Sequence, residues 1–208
     1  MSLNDLTLKE FSDRLNSKEP VPGGGGAAAL TGALAASLAG MVGHLTAGKK
    51  KYAAYEEDIQ RILKEVTGIE AELLSLIDED ADNFLPLSRA YSLPKDTPEE
   101  KQHREETLRA CCLEALKAPE KMMFLCHKLA PLLEEVTEKG SVLAISDAGC
   151  SAALLDGAYR AAWLNVAVNL KSLKDDTFST EIRKVLLPVM EEDLERCRKV
   201  YETVFNKL

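Results

Sequence analysis

Between residues 53 and 85 an apolar residue recurs every three or four positions: Ile59, Ile62, Leu63, Val66, Ile69, Leu73 and Ile77. That period lays one stripe along a helix and is the strongest periodic signal in the chain. Upstream, Leu6, Phe11 and Leu15 share a face over Asp5 to Asn16, and Pro20, Val21 and Pro22 then break the pattern. A glycine run from Gly23 to Gly26 follows, and an Ala-rich helix is predicted from there to near Gly48, a good C-terminal stop. The long periodic helix dies between Pro86 and Pro94. Thr97 with Pro98, Glu99 and Glu100 restarts helix, with a cap, a proline in the first turn and acids where the helix dipole favours them. This fourth helix is predicted to end before Pro119 and a fifth to run from Glu120 to Glu138, bent at Pro131 and closed by Gly140. A sixth follows residues 146–149 as far as Leu170, and a last runs from Thr180 to Asn206 with a bend at Pro188. No stretch alternates long enough to make a strand, and no repeat or linker divides the chain. The pattern predicts an all-α, single-domain bundle of six or seven long, partly bent helices over residues 1–208.

Composition agrees, since aromatics are only 5% and Ala and Leu dominate the apolar set. A net charge of -8 argues against bulk nucleic-acid binding, which depends on a basic surface. An anionic ligand must therefore find a local basic patch, and Lys49, Lys50 and Lys51 form the densest one. The five cysteines, Cys111, Cys112, Cys126, Cys150 and Cys197, form no CxxC pair, and the three histidines lack ligand spacing with them, so no metal site is expected. An odd number of thiols, with no charged-then-apolar signal at the N-terminus, points to a reducing cytoplasm. Residues 27–47 carry no formal charge and precede three lysines, which imitates a membrane span. About half of that window is Ala or Gly, and Gly32, Ala36 and Gly40 recur every fourth residue. Such a stripe lets helix backbones approach closely, so the window is read as a core helix and no membrane association is expected.

Several short segments carry candidate chemistry. GHLTAGKK at 43–50 has the glycine and lysine spacing of a P-loop, but Lys50 stands where Ser or Thr should hold magnesium and a helix precedes it instead of a strand, so the motif is set aside. The lysines themselves suit either a solvated helix end or an anion site. Four glycines after Pro22 cost backbone entropy, which suggests that something approaches this backbone closely: a ligand carboxylate, carbonyl or ring edge at Gly23, Gly24 and Gly25, or simply another helix. LIDEDADNF at 76–84 reads by default as a solvated acidic face. A carboxylate turned inward there would have a raised pKa and could exchange protons near neutrality, and Asp80 is the candidate. Ser146 or Asp147 can cap the helix that follows, and capping alone would account for both. Asn165 and Asn169 lie one turn apart on a mostly apolar helix, where buried amides need partners.

Taken in order, PVPGGGGAAALTGALAASLAGMV at 20–42, LTAGKKKY at 45–52, LIDEDADNF at 76–84, LPKDTPEEK at 93–101 and the run from Ser146 to Asp175 resemble the cyclodeaminase domain of formiminotransferase-cyclodeaminase and the related bacterial methenyltetrahydrofolate cyclohydrolases. The resemblance covers nearly the whole chain. It implies an all-helical fold, a homodimer, and a tetrahydrofolate derivative as ligand, with or without a polyglutamate tail, and no cofactor beyond that substrate. It implies first the conversion of 5-formiminotetrahydrofolate to 5,10-methenyltetrahydrofolate and ammonia, and as the alternative the hydrolysis of the methenyl compound to 10-formyltetrahydrofolate. A non-catalytic helical self-association module is the remote alternative. On these motifs Asp80 and Asp147 are the candidate acid or base, and Pro22, Gly23, Gly24, Gly25, Lys49, Lys50, Lys51, Ser146, Asn165 and Asn169 the candidate substrate contacts. The family has Ser after three glycines, whereas this chain has Gly26, so a contribution from that hydroxyl is missing.

Overall fold

A computed structural model describes residues 2–208. Six α-helices run in chain order as α1 (Leu8–Leu15), α2 (Gly24–His44), α3 (Glu56–Ala90), α4 (Pro98–Lys139), α5 (Ile145–Leu173) and α6 (Asp176–Phe205), with no strand among the described residues. Helix α2 packs between α3 and α5, α6 lies beyond α5, and α4 crosses behind α3, α5 and α6 and also touches α2. The layer α3, α2, α5, α6 therefore has one face covered by α4.

The stripe of small residues on α2 is what lets that layer close up. A side chain added at Gly32 would press on Leu73 of α3 at 3.3 Å and on Ala158 of α5 at 3.7 Å, and one at Gly40 would meet Val66 at 3.5 Å. Although α2 has the length and composition of a membrane span, its small residues are spent inside the bundle. Ala36 is only 1% exposed, so Ala36→Leu should lower stability by about 1–3 kcal/mol through overpacking, read from urea denaturation. An unchanged midpoint would place the stripe outside the core.

Several helix boundaries differ from the sequence-based expectation, among them the end of α2, which stops at His44 and not near Gly48. Helix α4 does not stop before Pro119: it continues for 42 residues through Pro119 and Pro131, joining the expected fourth and fifth helices into one. Each interior proline deletes one hydrogen bond, but Ala115, Leu116, Ala118, Met122 and Met123 are all buried on either side of Pro119, and that burial outweighs the roughly 3 kcal/mol penalty. Helix α3 likewise runs past Pro86 to Ala90. Helix α6 begins at Asp176, not Thr180, because the Asp175 carboxylate accepts the Phe178 N–H at 3.0 Å. Nor do Ser146 and Asp147 cap α5. Its N-cap is Ala144, and both residues sit in the first turn without a cap hydrogen bond.

Two polar anchors fasten the ends of this layer. Buried Asp193 of α6 is 2.8 Å from His127 Nδ1 of α4 and accepts the Tyr159 hydroxyl of α5 at 3.2 Å, tying three helices at one point. At the N-terminus, Asp78 of α3 accepts the Leu3 N–H at 2.6 Å and the Ser2 hydroxyl. That arm, with buried Phe11, holds α1 against the loop that leads into α2.

Candidate active site

The loop from Pro20 to Gly23, which includes a cis Val21–Pro22 peptide, delivers the chain to the start of α2 beside the second half of α3 and the end of α5. These elements enclose a cavity of about 120 Å³ lined by Gly23, Gly24, Gly25, Asp80, Asn165 and Asn169, with Phe84, Ala115 and Val168 as its apolar wall. Helix α2 starts there without a side-chain cap, since Gly23 has none to offer. Its first amides are the unsatisfied donors that every helix start presents.

Asp80 reaches this place because it lies three residues after Ile77 and one before Ala81, both buried, so the acidic run is turned partly inward at this one position. Burial raises its carboxyl to about 6, and the Gly26 N–H draws it partly back. The glycines make that approach possible. A Cβ on Gly25 would overlap the whole carboxyl group of Asp80, and one on Gly24 would meet the Asn165 amide at 3.4 Å. Only a residue without a side chain brings the helix start against the acid. Gly26, by contrast, has room: a Cβ there meets Pro22 at 3.4 Å and Ile77 and Phe11 at 3.8 and 3.9 Å, ordinary contacts that a serine would also make.

The two asparagines have different tasks. Asn169 is buried and donates to the Ala115 carbonyl at 3.1 Å, which fixes α4 as the back wall. Asn165 donates to the Ala161 carbonyl one turn back at 2.8 Å, leaving its amide oxygen beside Gly24. The site thus offers helix-start amides, amide oxygens and one carboxyl poised to gain or lose a proton at neutral pH.

The other candidates lie elsewhere. Pro22 is buried beneath the site, against the position a Gly26 side chain would take, and does not line the cavity. Lys49, Lys50 and Lys51 stand exposed at a 3-10 turn, Lys50–Tyr55, beyond the far end of α2, whose 21 residues span about 31 Å. Ser146 and Asp147 are at that same far end, where Tyr52 OH accepts the Val142 N–H at 3.2 Å and Thr46 accepts the Ser141 N–H at 2.7 Å. Within one chain, then, Asp147 and the lysines do not meet Asp80. Phe84, Ala115 and Val168 were not anticipated. Phe84 follows Asp80 by one turn and Val168 precedes Asn169, so helical spacing could have found both, whereas Ala115 comes from a helix whose neighbours the sequence does not reveal. Larger depressions, such as the groove of about 600 Å³ between α5 and α6, are open to solvent, and their charges are spent on each other, as in Arg160 with Asp156 and Arg198 with Glu195.

Residues 7–187 match the profile of the formiminotransferase-cyclodeaminase family. The chain is 39% identical to a methenyltetrahydrofolate cyclohydrolase of Methylorubrum extorquens over 97% of both sequences. It is 33% identical to the formimidoyltransferase-cyclodeaminase of Rattus norvegicus, matching 92% of this chain but about a third (35%) of that longer protein. A crystal structure of formiminotetrahydrofolate cyclodeaminase from Thermotoga maritima superposes with a TM-score of 0.80 at 30% identity, covering 98% of this chain and 96% of that one.

Proposed function

The chain belongs to the formiminotransferase-cyclodeaminase family, and from that premise we propose that it is a folate one-carbon enzyme working at the carbon between N-5 and N-10, as a methenyltetrahydrofolate cyclohydrolase. The observation that carries this reading is the place of the Asp80 carboxyl, buried in the cavity against Gly25 at the start of α2, where burial raises its proton affinity. Hydrolysis of the methenyl cation adds water to the bridging carbon, opens the C–N-5 bond and leaves the formyl group on N-10, releasing one proton in all. Asp80 as carboxylate takes a proton from water, and as acid returns it to N-5. One shuttle suffices, and the cavity lining holds one carboxyl.

Cyclodeamination is the second reading, favoured by the likeness to the Thermotoga maritima structure. There the same carboxyl would move the N-10 proton to the departing amine. What turns the balance to hydrolysis is the end-to-end match to the cyclohydrolase at 39% identity. No cofactor beyond the folate enters either reaction as proposed. A cytoplasmic homodimer fits the five free thiols and the broad apolar face of α2 and α5.

Near-ultraviolet absorbance tests both reactions, because the methenyl chromophore is lost in one and formed in the other. The purified protein should bleach 5,10-methenyltetrahydrofolate faster than buffer. Chromophore formation from the formimino compound without bleaching would select the deaminase, and no rate with either substrate from folded protein would remove the enzyme reading.

A further inference from the structure

One of the larger depressions keeps its charges unspent. It lies where α5 ends and α6 begins, a groove of about 620 Å³ with Leu164, Val168, Lys171 and Lys174 on the α5 side and Thr180 and Arg183 on the α6 side. Its one carboxylate is Asp176, against three cations, in a chain whose net charge is -8. Among the described residues none of Lys171, Lys174 and Arg183 forms an ion pair. The neighbouring Asp175 is already engaged, accepting the Phe178 N–H at 3.0 Å and a hydrogen bond from Arg109 at 3.0 Å.

The helix dipole gives a reason for two of these cations, since Lys171 and Lys174 stand at the C-terminus of α5, where positive charge is favoured. It gives none for Arg183, which lies two turns into α6 and so beyond the reach of that helix's ends. The Arg183 guanidinium is laid over the Trp163 ring of α5, 5.2 Å from its centroid, which holds the charge at the groove.

The groove also adjoins the candidate active site, because Val168 is a wall of both. The cavity on its inner side, at about 120 Å³, is well below the roughly 300–1,000 Å³ of sites that enclose a ligand of folate's size. It can hold the reacting ring edge, and the rest of the molecule must lie outside. We propose that this groove receives the glutamate carboxylates of the folate whose one-carbon bridge lies against Asp80, with Lys171, Lys174 and Arg183 as the cations that read the length of the tail. The ligand in this inference rests on the folate reading above.

The order of surfaces follows the order of groups in the ligand. A folate carries N-5 on its ring system, then a benzoyl ring on N-10, then glutamate. Here the polar cavity with its acid comes first. Leu164 and Val168 follow, exposed at 66% and 56% and without a charge, as an apolar rest for a ring. The cations come last, and Val168 to Lys174 is about 9 Å along α5, comparable with a benzoyl ring and its amide. From Trp163, which bears Arg183, to Lys174 is about 16 Å. Cations so spread are matched less by one compact phosphate than by carboxylates repeated along a chain, as in γ-linked oligoglutamate. Consecutive lysines at 49–51 draw the eye in the sequence, whereas these three cations fall at 171, 174 and 183 on two helices, and no run announces them.

Steady-state kinetics with the monoglutamate and pentaglutamate of 5,10-methenyltetrahydrofolate test the groove. The parent should show the lower KM for the pentaglutamate. The triple variant Lys171→Gln, Lys174→Gln, Arg183→Gln, altered only at exposed positions, should raise that KM on the order of tenfold more than the KM for the monoglutamate. The contrast should shrink as salt screens the charges. Lys171→Arg with Lys174→Arg keeps the charge and should keep the preference for the long tail. Equal KM changes for both ligands in the triple variant, or a preference lost equally when the charge is kept, would overturn the proposal. A second probe needs no turnover: free penta-γ-glutamate, titrated calorimetrically at low salt, should bind the parent and not the triple variant. Peptide binding that depends on these cations, with no turnover of any folate, would overturn the folate reading and keep the groove as a polycarboxylate site. Folate turnover with neither peptide binding nor a preference for tail length would overturn the groove and leave the folate reading standing.

Discussion

Asp80→Asn should lower turnover at least about a hundredfold, and up to about ten-thousandfold, while making the folded protein more stable at neutral pH. The two effects share one cause. An ordinary aspartate has a pKa of about 3.9, and the difference to about 6 means that burial of the charged form costs about 3 kcal/mol. A folded-state pKa raised above the unfolded one makes stability fall as pH rises from about 4 through about 6, and the full cost is present above that range. Asparagine carries no such charge and can still accept the Gly26 N–H. In urea denaturation the variant should therefore exceed the parent at pH 7.5 by as much as about 3 kcal/mol, with the gap closing by pH 4. The parent's turnover should fall below an inflection near pH 6, where the carboxylate becomes protonated and can no longer accept a proton from water. Normal turnover in the variant would remove Asp80 from the chemistry, and a loss of stability at pH 7.5 would mean that the carboxylate has partners that repay its burial.

Gly25→Ala should be nearly as damaging, although it only adds one methyl group and removes no polar group. That methyl overlaps the Asp80 carboxyl, so either the acid turns out of the cavity or the start of α2 moves away. Both misplace the proton shuttle, and a fall in turnover of about a hundredfold or more follows. Stability should drop by about 1–3 kcal/mol from overpacking, against a gain of up to about 1 kcal/mol from alanine's higher helix propensity. Adding Asp80→Ala removes the obstructing group, so the double variant should recover the stability but none of the activity. That non-additivity is the measurement that matters. If the single variant keeps both its melting temperature and its rate, the carboxyl does not stand against Gly25.

Much of this was legible because helical spacing carries burial information. The three-four pattern of α3 marked its core face, and Asp80 was named as the candidate inward carboxylate, but its place between buried Ile77 and Ala81 is seen only in the structure. The glycine run announced a close approach, though not that Gly24 meets an asparagine and Gly25 an acid. Proline misled at position 119, where a local stop signal was overridden by packing on both sides of it, which no window of sequence shows. Asp175 is a residue type that caps helices, and the expected start at Thr180 lay four residues beyond the observed one at Asp176. The distance of the lysines and Asp147 from Asp80 depends on two long helices, α2 and α5, running side by side in opposite directions. That is a property of tertiary arrangement.

The uncapped start of α2 has an energetic consequence for the empty enzyme. Most helices begin under a side chain that accepts one of their first amides, an arrangement worth about 1 kcal/mol. Here Gly23 has no side chain to offer, and the acceptor at the first turn is the Asp80 carboxyl, which takes the Gly26 N–H and leaves the amides of Gly24 and Gly25 to an acceptor from outside. A ligand carbonyl or ring nitrogen would then act as the missing cap, and the helix on which the whole layer is built would be tightest only when the site is full. Occupancy is in this sense written into the stability of the fold itself, and substrate-free protein is the form most open to fraying and proteolysis at Gly24.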